Sequence, residues 1–512
     1  MRRGRRLLYN TLLLTLASMF MRAVAVSFQV YLAGVIGPAG VGLFGLIASA
    51  QMLALTVAVS GIRFAATRLV SEELGRENPR SVPQVMGRCM THALCFGLLA
   101  SGLLFFGAPF IGRVWIGDMR AVLSLRILSV SLPFAAVFAS LNGYFIAVSR
   151  VIKSAGVSVF EQVLRISFAA ALFVLRAPDD LETALATVVI GSVAAETVSS
   201  LLLFGLYLGD KRGLSKEGAS GRALTRRLLR ISMPLAASTY ARSGLNTLQH
   251  MLVPRGLRRG GVTGDEALAS YGMVHGMALP VILFPSAVFY AAAELIVPEL
   301  TAAQVRGDQA RISYLVSKLL RFSLYVSIGI GGLFLAFSRE LGQVIYPHTP
   351  GVGPYIHIFA FLMPIIFLDA ITDGMLKGLG QQVYSMGVNI ADSLLSVALV
   401  YLLLPIFAVG GFIFMVFFTE CFNFFFSLRR VAQIAAIRLA VSDILKPVLS
   451  AGAAIQVVPL ILRMLGVPLS ASVVSLVLHF LLTGGVYGLM LFLLGCVTRQ
   501  DLRWVRRLVR DG

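Results

Sequence analysis

Charged residues are scarce in this chain of 512 residues, and their scarcity excludes an ordinary soluble domain. Only 13% of the residues are Asp, Glu, Lys or Arg, whereas about 25% is usual in soluble globular domains. The four cysteines (Cys89, Cys95, Cys421 and Cys496) show no metal-type spacing, and we interpret them as packing residues without a disulfide framework. What remains is a largely apolar chain, with 57% hydrophobic residues.

The sequence also lacks the motifs of the common catalytic and nucleotide-binding sites. It has no Walker loop, no dinucleotide glycine fingerprint, no metal-ligand cluster and no serine-hydrolase elbow. We therefore expect neither an enzyme nor an ATP-driven pump, and we expect no cofactor and no metal. Any driving force for transport must then come from an H⁺ or Na⁺ gradient, from the membrane potential or from a partner.

Apolar runs of about twenty residues recur through almost the whole chain, and fourteen of them can be counted. A helix of that length spans the ~30 Å hydrocarbon core of a bilayer. The sequence therefore predicts an all-α integral membrane protein with fourteen transmembrane helices. The first run follows four arginines and is similar to a signal peptide, but it continues past a cleavage-like triplet at 23–25, so we expect no cleavage.

The net charge of +20 could indicate nucleic-acid binding, but the distribution of the basic residues argues against it. If the N-terminus is cytoplasmic and the spans alternate, thirty Lys and Arg residues lie at inner segments and eight at outer segments. This asymmetry follows the positive-inside rule. We therefore predict a multi-pass protein that contacts membrane lipids and no nucleic acid, with both termini in the cytoplasm.

Arginines lie inside the first two apolar runs, which are joined by a tight turn at 37–42. Arg22 is about fifteen residues into the first run, so at ~1.5 Å per residue it lies near the midplane of the bilayer. A charge there costs at least ~2.5–3.5 kcal/mol and normally faces a partner or a water-filled cavity. Polar residues share one helix face with each arginine: Thr11, Thr15, Ser18, Arg22 and Gln29 in the first run, and Ser49, Thr56, Ser60, Arg63 and Thr67 in the second.

These two polar stripes predict a wet, basic surface inside the helical bundle. The alternative is that the hydroxyl groups bond the backbone of their own helices and that the arginines extend to the membrane surface. Arg22 is too deep for the second explanation, whereas Arg63 is compatible with either.

An internal repeat organises the chain, because polar residues of the first run recur 220 positions later in the seventh. The matched pairs are Ser18 with Ser238, Arg22 with Arg242 and Gln29 with Gln249. Six spans per repeat is an even number, so the two copies share one orientation and are related by a pseudo-twofold axis along the membrane normal. We therefore predict two six-helix lobes, with Arg22 and Arg242 facing one central cavity.

The repeat sets the predicted boundaries. They are an N-lobe with spans 1–6 at 1–208, a basic cytoplasmic linker at 209–228, a C-lobe with spans 7–12 at 229–430, and spans 13 and 14 with a basic cytoplasmic tail at 431–512. The predicted polar lining of the cavity consists of Ser18, Gln29, Ser60, Asn246 and Gln249.

Acidic residues inside the spans are candidates for ion coupling. Asp369 and Asp373 share a face of the tenth span, and pairing of Asp373 with Lys377 leaves Asp369 as the more interesting acid. Glu294 in the eighth span is the second candidate, although solvation at the membrane surface explains it equally well. Three other mid-span acids have no visible partner, and we interpret them as structural: Glu196, Asp392 and Glu420.

Several short motifs occur in a recognisable order. They are Asn10-Thr11, Arg22, Gly37-Pro38-x-Gly40-x-Gly42-x-Phe44, Gly61-Ile62, Val70-Ser71-Glu72, Asn142-Gly143-Tyr144 and Lys377-Gly378-Leu379-Gly380-Gln381. This pattern resembles the stage V sporulation protein B branch of the polysaccharide transporters. That branch belongs to the multidrug/oligosaccharidyl-lipid/polysaccharide (MOP) flippase superfamily and is related to the lipid II flippases. The resemblance covers nearly the whole chain and extends to the two C-terminal spans.

The resemblance implies a flippase of a bacterial cell membrane that works by alternating access. Its substrate would be an undecaprenyl-diphosphate-linked saccharide, a cell-wall or polysaccharide precursor, moved from the inner to the outer leaflet. In lipid II flippases, arginines of the cavity hold the diphosphate, and the resemblance carries this role to Arg22, Arg63 and Arg242. It also implies that spans 13 and 14 form a groove for the lipid tail.

Three other functions stay open from the residues alone. A MATE-type multidrug/cation antiporter typically has twelve spans and an acid in the first or seventh, where this chain has arginines. A membrane enzyme of cell-envelope assembly should have a large outer loop with catalytic residues, but the largest outer loop, 254–268, is short and lacks histidine. A non-transporting scaffold would leave the intramembrane arginines without an explanation.

Overall fold

We describe a computed structural model of the chain, which covers residues 2–76, 81–176, 178, 180–211, 221–349, 351–437, 439–464 and 472–497. Every regular element within these residues is helical, which confirms the predicted all-α class. Side chains of the first helix are described from Phe20 onward, so the predicted cavity-lining side chain of Ser18 lies outside the described residues.

The described residues form eighteen α-helices and two π-helical turns. The first nine helices are α1 (Arg2–Val59), α2 (Ile62–Gly75), α3 (Val82–Phe110), α4 (Ala121–Ser129), α5 (Leu132–Ala147), α6 (Val151–Arg176), α7 (Leu181–Lys211), α8 (Gly221–Arg259) and α9 (Gly264–Tyr271). The other nine are α10 (Leu279–Leu283), α11 (Ser286–Val305), α12 (Gln309–Ala336), α13 (Ser338–Ile345), α14 (Val352–Ala360), α15 (Met363–Gly378), α16 (Gln382–Ile434), α17 (Ser442–Met464) and α18 (Val473–Leu493). The π-helical turns are Ile111–Ile116 and Gly272–Ala278.

Ten helices of the described residues are long and apolar enough to cross a membrane, or up to twelve if two bent helix pairs each count as one span. This count is lower than the predicted fourteen for two reasons. It treats residues 20–75 as one span and 382–434 as another, although non-helical backbone at Gly37 and Ala408 interrupts each. It also omits α8, which carries eight arginines.

The backbone breaks twice in the arginine-bearing N-terminal hairpin. The first break is at Gly37, whose φ of 67° is followed by Pro38, inside the predicted turn. The second is at Ser60 and Gly61, with φ values of 44° and 69°, and it separates α1 from α2. The sequence predicted that Ser60 and Arg63 share one face of a continuous helix, and that prediction is wrong at this point. Left-handed backbone at two consecutive residues ends one helix and re-aims the next.

The chain forms two compact units, and their membership differs from the predicted lobes. The first unit consists of Met1–Val41 and Gly256–Gly512, and the second unit of Gly42–Arg255. The opening helix of each predicted lobe therefore belongs to the unit formed mainly by the other lobe. The division into lobes at 1–208 and 229–430 stays a prediction about which parts of the protein move during transport. It differs from these units in the assignment of the first part of α1 and of α8.

Close helix packing shapes each unit. In the second unit, α6 packs along α7, and α5 packs on α2 and α3. Gly143 of α5 permits the approach to α2, because a Cβ atom there would lie 2.4 Å from the carbonyl oxygen of Arg63. In the first unit, α15 packs on α11, α12 and α16, while α17 lies on α12 and α18. The hydroxyl group of Tyr487 on α18 donates to the carbonyl oxygen of Tyr325 on α12 at 2.7 Å.

Candidate functional site

Neutral groups hold Arg22 in the first unit. The Nη1 atom of Arg22 donates to the hydroxyl oxygen of Ser286 at 2.8 Å, and the guanidinium carbon lies 5.4 Å from the ring centroid of Tyr290. Both partners lie on α11, one helical turn apart. Arg22 is half-buried and, among the described residues, forms no ion pair. The ring of Tyr290 stabilises the cation without cancelling its charge, and most of the five guanidinium N–H groups stay available to a ligand.

Acidic side chains of the first unit also lie near Tyr290. The side chain of Tyr290 is within electrostatic range of Arg22 and also of Asp369, Asp373 and Glu420. The carboxylate of Glu420 on α16 interacts in turn with Asp369 on α15. Tyr290 therefore connects the residue predicted to hold diphosphate with the residue predicted to couple an ion. The sequence-based prediction missed both Ser286 and Tyr290.

The two aspartates of α15 differ in how well they are satisfied. Asp373 accepts a hydrogen bond from Ser385 at 2.5 Å and pairs with Lys377 at 2.7 Å, as the spacing predicted. The Oδ1 atom of Asp369 is buried and has no hydrogen-bond partner. Asp392 interacts electrostatically with both Asp369 and Glu420, so two of the three acids predicted to be structural, Asp392 and Glu420, belong to one cluster with Asp369. The third, Glu196, lies on α7 in the second unit.

A polar layer extends this acidic cluster along α16. The amide of Asn389 donates to the carbonyl oxygen of Ser385 at 2.9 Å, and the amide of Asn423 donates to Asn389 at 3.5 Å. No group of three or more His, Cys, Asp or Glu side chains is placed to hold a metal ion within the part of the chain that the structure describes. Glu294, the other predicted coupling acid, is exposed on α11, one turn beyond Tyr290.

In the second unit, the polar stripe of the second apolar run packs against α8. Hydrogen bonds join the two helices at three levels: Tyr240 to Ser60 at 2.7 Å, Thr56 to Ser243 at 3.1 Å, and Thr247 to the carbonyl oxygen of Ser49 at 3.1 Å. Ser60 is fully buried. In this conformation its hydroxyl group therefore belongs to the packing of α1 on α8, whereas the sequence predicted a residue that lines the cavity.

The break at Ser60 and Gly61 moves Arg63 off this packed stripe. Arg63 and Arg242 are both exposed, and neither forms an ion pair among the described residues. Of the other residues predicted to line the cavity, Asn246 is exposed, and Gln249 and Gln29 are half-buried. Arg22 and Gln29 thus lie in the first unit, whereas Arg63, Arg242, Asn246 and Gln249 lie in the second.

Carboxylates at the end of α2 fix the start of α8 in the second unit. Arg227 forms ion pairs with Glu72 and, at 3.2 Å, with Glu73. Ser81 also donates to Glu73, at 2.9 Å. Burial lowers the pKa of Arg227, but the hydrogen bonds and negative charges of the two glutamates outweigh burial, so the pKa is raised overall. This network therefore attaches the end of the predicted linker, at Arg227, to α2.

Comparisons with known proteins agree with this architecture. A family model described as "Polysaccharide biosynthesis protein" matches residues 7–304. Stage V sporulation protein B of Bacillus subtilis (strain 168) is 25% identical over 402 residues, which cover 77% of each chain. The solved structure of the lipid II flippase MurJ in an inward closed conformation aligns with a TM-score of 0.72 and 13% identity, over 94% of this chain and 98% of that chain.

A second solved structure has the same architecture. An inward-facing multidrug resistance MATE family transporter of the MOP superfamily aligns with a TM-score of 0.66 and 13% identity, over 81% of this chain and 95% of that chain. At such identities the likeness of both structures concerns the fold alone. It confirms the predicted MATE/MOP-like fold.

Proposed function

We propose, because the chain belongs to the polysaccharide biosynthesis protein family of the MOP superfamily, that it flips a polyprenyl-diphosphate-linked saccharide from the inner to the outer leaflet. The family consists of transporters, which agrees with the prediction that the chain is not an enzyme. The proposed substrate is a cell-wall or polysaccharide precursor similar to lipid II, and the proposed mechanism is alternating access. The similarity to stage V sporulation protein B of Bacillus subtilis supports a role in sporulation.

The observation that carries this proposal is that Arg22 forms no ion pair among the described residues. Its partners Ser286 and Tyr290 are neutral, so the guanidinium can bind an anion without first breaking an ion pair. A planar guanidinium binds phosphate oxygens as a two-pronged donor, and a diphosphate offers several such oxygens. We extend the same role to Arg63 and Arg242, which are exposed and likewise carry no ion pair among the described residues.

The polar residues that the sequence predicted to line the cavity complete the proposal. Gln29, Asn246 and Gln249 would contact hydroxyl groups of the saccharide, since amides both donate and accept hydrogen bonds. Ser60 would contribute only in a conformation that releases it from Tyr240. The lipid tail would remain in the membrane during transport, in contact with spans 13 and 14.

Asp369 is our candidate for coupling transport to an ion. Its buried Oδ1 atom has no hydrogen-bond partner and can take up a proton or a cation. Tyr290 lies within electrostatic range of both Asp369 and Arg22, so a change of charge at one alters the surroundings of the other. Glu294 is the second candidate. The driving force would be H⁺, Na⁺ or the membrane potential.

The proposed orientation follows the distribution of basic residues. Up to twelve candidate spans among the described residues make this a multi-pass membrane protein. We place both termini in the cytoplasm of a bacterial cell, because that orientation puts the larger set of Lys and Arg residues on the inner side. A cysteine introduced at either terminus should then be protected from impermeant thiol reagents in whole cells.

One specific observation favours a second candidate function. The carboxylate cluster of Asp369, Asp373, Asp392 and Glu420 is the kind of site that binds an organic cation, and the MATE transporter shares this fold. An antiporter of cationic drugs would use this cluster for its substrate and would not need Arg22. The two functions therefore differ in which cluster is essential.

The test is a flipping assay in proteoliposomes that contain a fluorescent polyprenyl-diphosphate disaccharide. The native protein should flip the lipid, and Arg22→Ala should lower the rate at least tenfold, because hydrogen bonds to charged groups contribute about 1.5–3 kcal/mol. Arg113→Ala, which removes an exposed arginine of a π-helical turn, is the matched control and should leave the rate unchanged.

Normal flipping by well-folded Arg22→Ala protein would contradict the proposed mechanism. If the native protein flips no polyprenyl-diphosphate lipid but exports a fluorescent cationic drug, the antiporter is the better function. A folded protein that is inactive in both assays would point to a scaffold.

A further inference from the structure

A cavity of about 480 Å³ lies within the second unit, at the ends of α2, α5 and α7. Its wall on α2 is Leu74, eleven residues after Arg63, so at ~1.5 Å per residue the two lie about 16 Å apart along the helix. The proposed transport site does not include it. The cavity is lined by Leu74, Val82, Tyr144, Ala147, Val148, Ser149, Arg150 and Asp210.

Two cations share one carboxylate oxygen at this cavity. Arg150 lies 2.7 Å and Lys153 lies 2.8 Å from the Oδ1 atom of Asp210. Two positive charges against one negative charge leave a net charge of +1. Arg150 is the more accessible cation, since 55% of its side chain is exposed. Its remaining N–H groups can bind an anion without breaking the existing ion pair.

The other oxygen of Asp210 has no partner. The side chain of Asp210 is only 9% exposed, and its Oδ2 atom is buried without a hydrogen bond. A buried carboxylate oxygen that accepts no hydrogen bond is costly, so the site is incomplete without a donor. A ligand that fits this site therefore has an anionic group for the cations and a hydrogen-bond donor for Asp210.

The remaining walls of the cavity are apolar. Leu74, Val82, Ala147 and Val148 present aliphatic surface beside the charged groups. Tyr144 adds an aromatic wall, and its ring contacts that of Tyr207 edge-on at 5.0 Å between ring centroids. Aliphatic surface next to cations, at the ends of membrane-spanning helices, matches a molecule with an anionic head and an apolar body.

We propose that this cavity binds the head group of an anionic phospholipid whose phosphodiester carries a hydroxyl-bearing substituent, as in phosphatidylglycerol. The phosphodiester would lie on Arg150 and Lys153, and a head-group hydroxyl would donate to the Oδ2 atom of Asp210. The lipid charge of −1 balances the site charge of +1. A choline head group fits less well, because it has no donor for Asp210. The proposal does not rest on the transport function.

The test measures lipid binding to the purified full-length protein by native mass spectrometry. Four probes separate the parts of the proposal: dioleoyl-phosphatidylglycerol, dioleoyl-phosphatidylethanol with the same charge but no hydroxyl, dioleoyl-phosphatidylcholine, and soluble glycerophosphoglycerol. Phosphatidylglycerol should bind about tenfold more tightly than phosphatidylcholine, since a charge-assisted hydrogen bond corresponds to at least that factor. It should also bind several-fold more tightly than phosphatidylethanol.

Three variants assign the binding to this cavity. Arg150→Gln should lower the affinity for both anionic lipids about tenfold, while Lys153 still pairs with Asp210. If this variant misfolds, Lys153→Gln tests the other cation in the same way. Asp210→Asn should bind phosphatidylglycerol and phosphatidylethanol equally, because the acceptor of the hydroxyl is weakened. Arg88→Gln, which changes an exposed arginine of α3 outside the cavity, is the matched control and should bind like the native protein.

Three outcomes would overturn the proposal. Equal affinity of the native protein for phosphatidylglycerol and phosphatidylcholine would show that the cavity does not select an anionic head group. Equal losses in Arg150→Gln and Arg88→Gln would show general attraction to anionic lipid. If glycerophosphoglycerol competes at the same concentration as the lipid, the site binds a free phosphodiester and no membrane lipid.

Discussion

At the scale of single residues, the surroundings of Arg22 and Asp369 suit opposite tasks. Arg22 is oriented by a hydroxyl group and an aromatic ring, which leave its charge intact. Asp369 lies among other carboxyl groups and keeps one buried oxygen without a hydrogen-bond partner. A cation held in place by neutral partners is suited to bind an anionic substrate, whereas a carboxyl group with an unsatisfied oxygen is suited to take up and release an ion.

The ring of Tyr290 provides the first prediction. Tyr290→Phe keeps an aromatic ring under the guanidinium and should retain nearly native flipping. Tyr290→Leu removes the cation–π contact, which contributes about 0.5–2 kcal/mol, and should slow flipping by two- to thirtyfold. The rates would be measured in the proteoliposome assay. Equal rates in the two variants would mean that the ring does not position Arg22. Adding Arg22→Ala to each variant is the control, because it shows whether the effect of residue 290 acts through Arg22.

The two aspartates of α15 provide the second prediction. Asp369→Asn should abolish the response of the flipping rate to an imposed H⁺ or Na⁺ gradient, because it removes the carboxylate whose oxygen lacks a partner. Asp373→Asn is the matched control. Its carboxylate is already paired with Lys377, whose side chain is 53% exposed, so the loss of stability should stay within about 1 kcal/mol. An unchanged gradient response in Asp369→Asn would remove this residue from the coupling mechanism.

Sequence alone identified Arg22 and Asp369 but not what surrounds them. The depth of Arg22 in an apolar run is a local property, and so is the pairing of Asp373 with Lys377 at helical spacing. Ser286 and Tyr290 lie more than 260 residues from Arg22, on a helix whose apolar pattern gives no reason to select them. One local match in the sequence was available: Tyr290-Ala291-Ala292 is similar to Phe64-Ala65-Ala66, which directly follows Arg63.

At the scale of helices, the second apolar run shows where periodicity misleads. Helical spacing placed Ser60 and Arg63 on one polar stripe. The left-handed residues Ser60 and Gly61 interrupt that helix, so Ser60 packs on Tyr240 and Arg63 is exposed. Gly61 by itself was compatible with a continuous span, and a positive φ at a serine has no sequence signature. The all-α class and the turn near Gly37 needed only composition and glycine–proline chemistry, which explains why those predictions were correct.

The close approach of α5 to α2 provides the third prediction. Gly143→Ala should lower the free energy of unfolding by about 1–3 kcal/mol, since the new Cβ atom would lie 2.4 Å from the carbonyl oxygen of Arg63 and 3.0 Å from the Cβ atom of Ala66. Gly156→Ala on α6 is the control, because nothing lies within 4 Å of the added atom, and its effect should not exceed about 1 kcal/mol. Thermal unfolding of the purified proteins measures both. Equal effects would show that α2 moves aside without cost.

At the scale of the whole molecule, each compact unit draws helices from both halves of the sequence. The first unit needs residues 1–41 in addition to 256–512, and the second needs residues up to 255. Arg22 binds α11, and α8 binds the second part of α1 and the end of α2, so these memberships rest on specific hydrogen bonds and ion pairs. The repeat was visible in sequence, but which copy of a helix joins which unit depends on three-dimensional packing and has no sequence signature.

This membership provides the fourth prediction, in which the chain is split at residue 215 and the halves 1–215 and 216–512 are produced separately or together. Neither half contains a complete unit: the first lacks the part of α8 that bonds Ser49, Thr56 and Ser60, and the second lacks Arg22. Each half alone should aggregate, whereas co-produced halves should purify as one complex through a tag on either. Size-exclusion chromatography distinguishes these results.

If each half alone gives a stable, monodisperse species, then independent lobes at 1–208 and 229–430 are the true folding units, and the helices exchanged between them contribute little to stability. If only the pair is stable, Thr247→Val should weaken the complex, because it removes the hydroxyl group that donates to Ser49 while preserving the shape of the side chain.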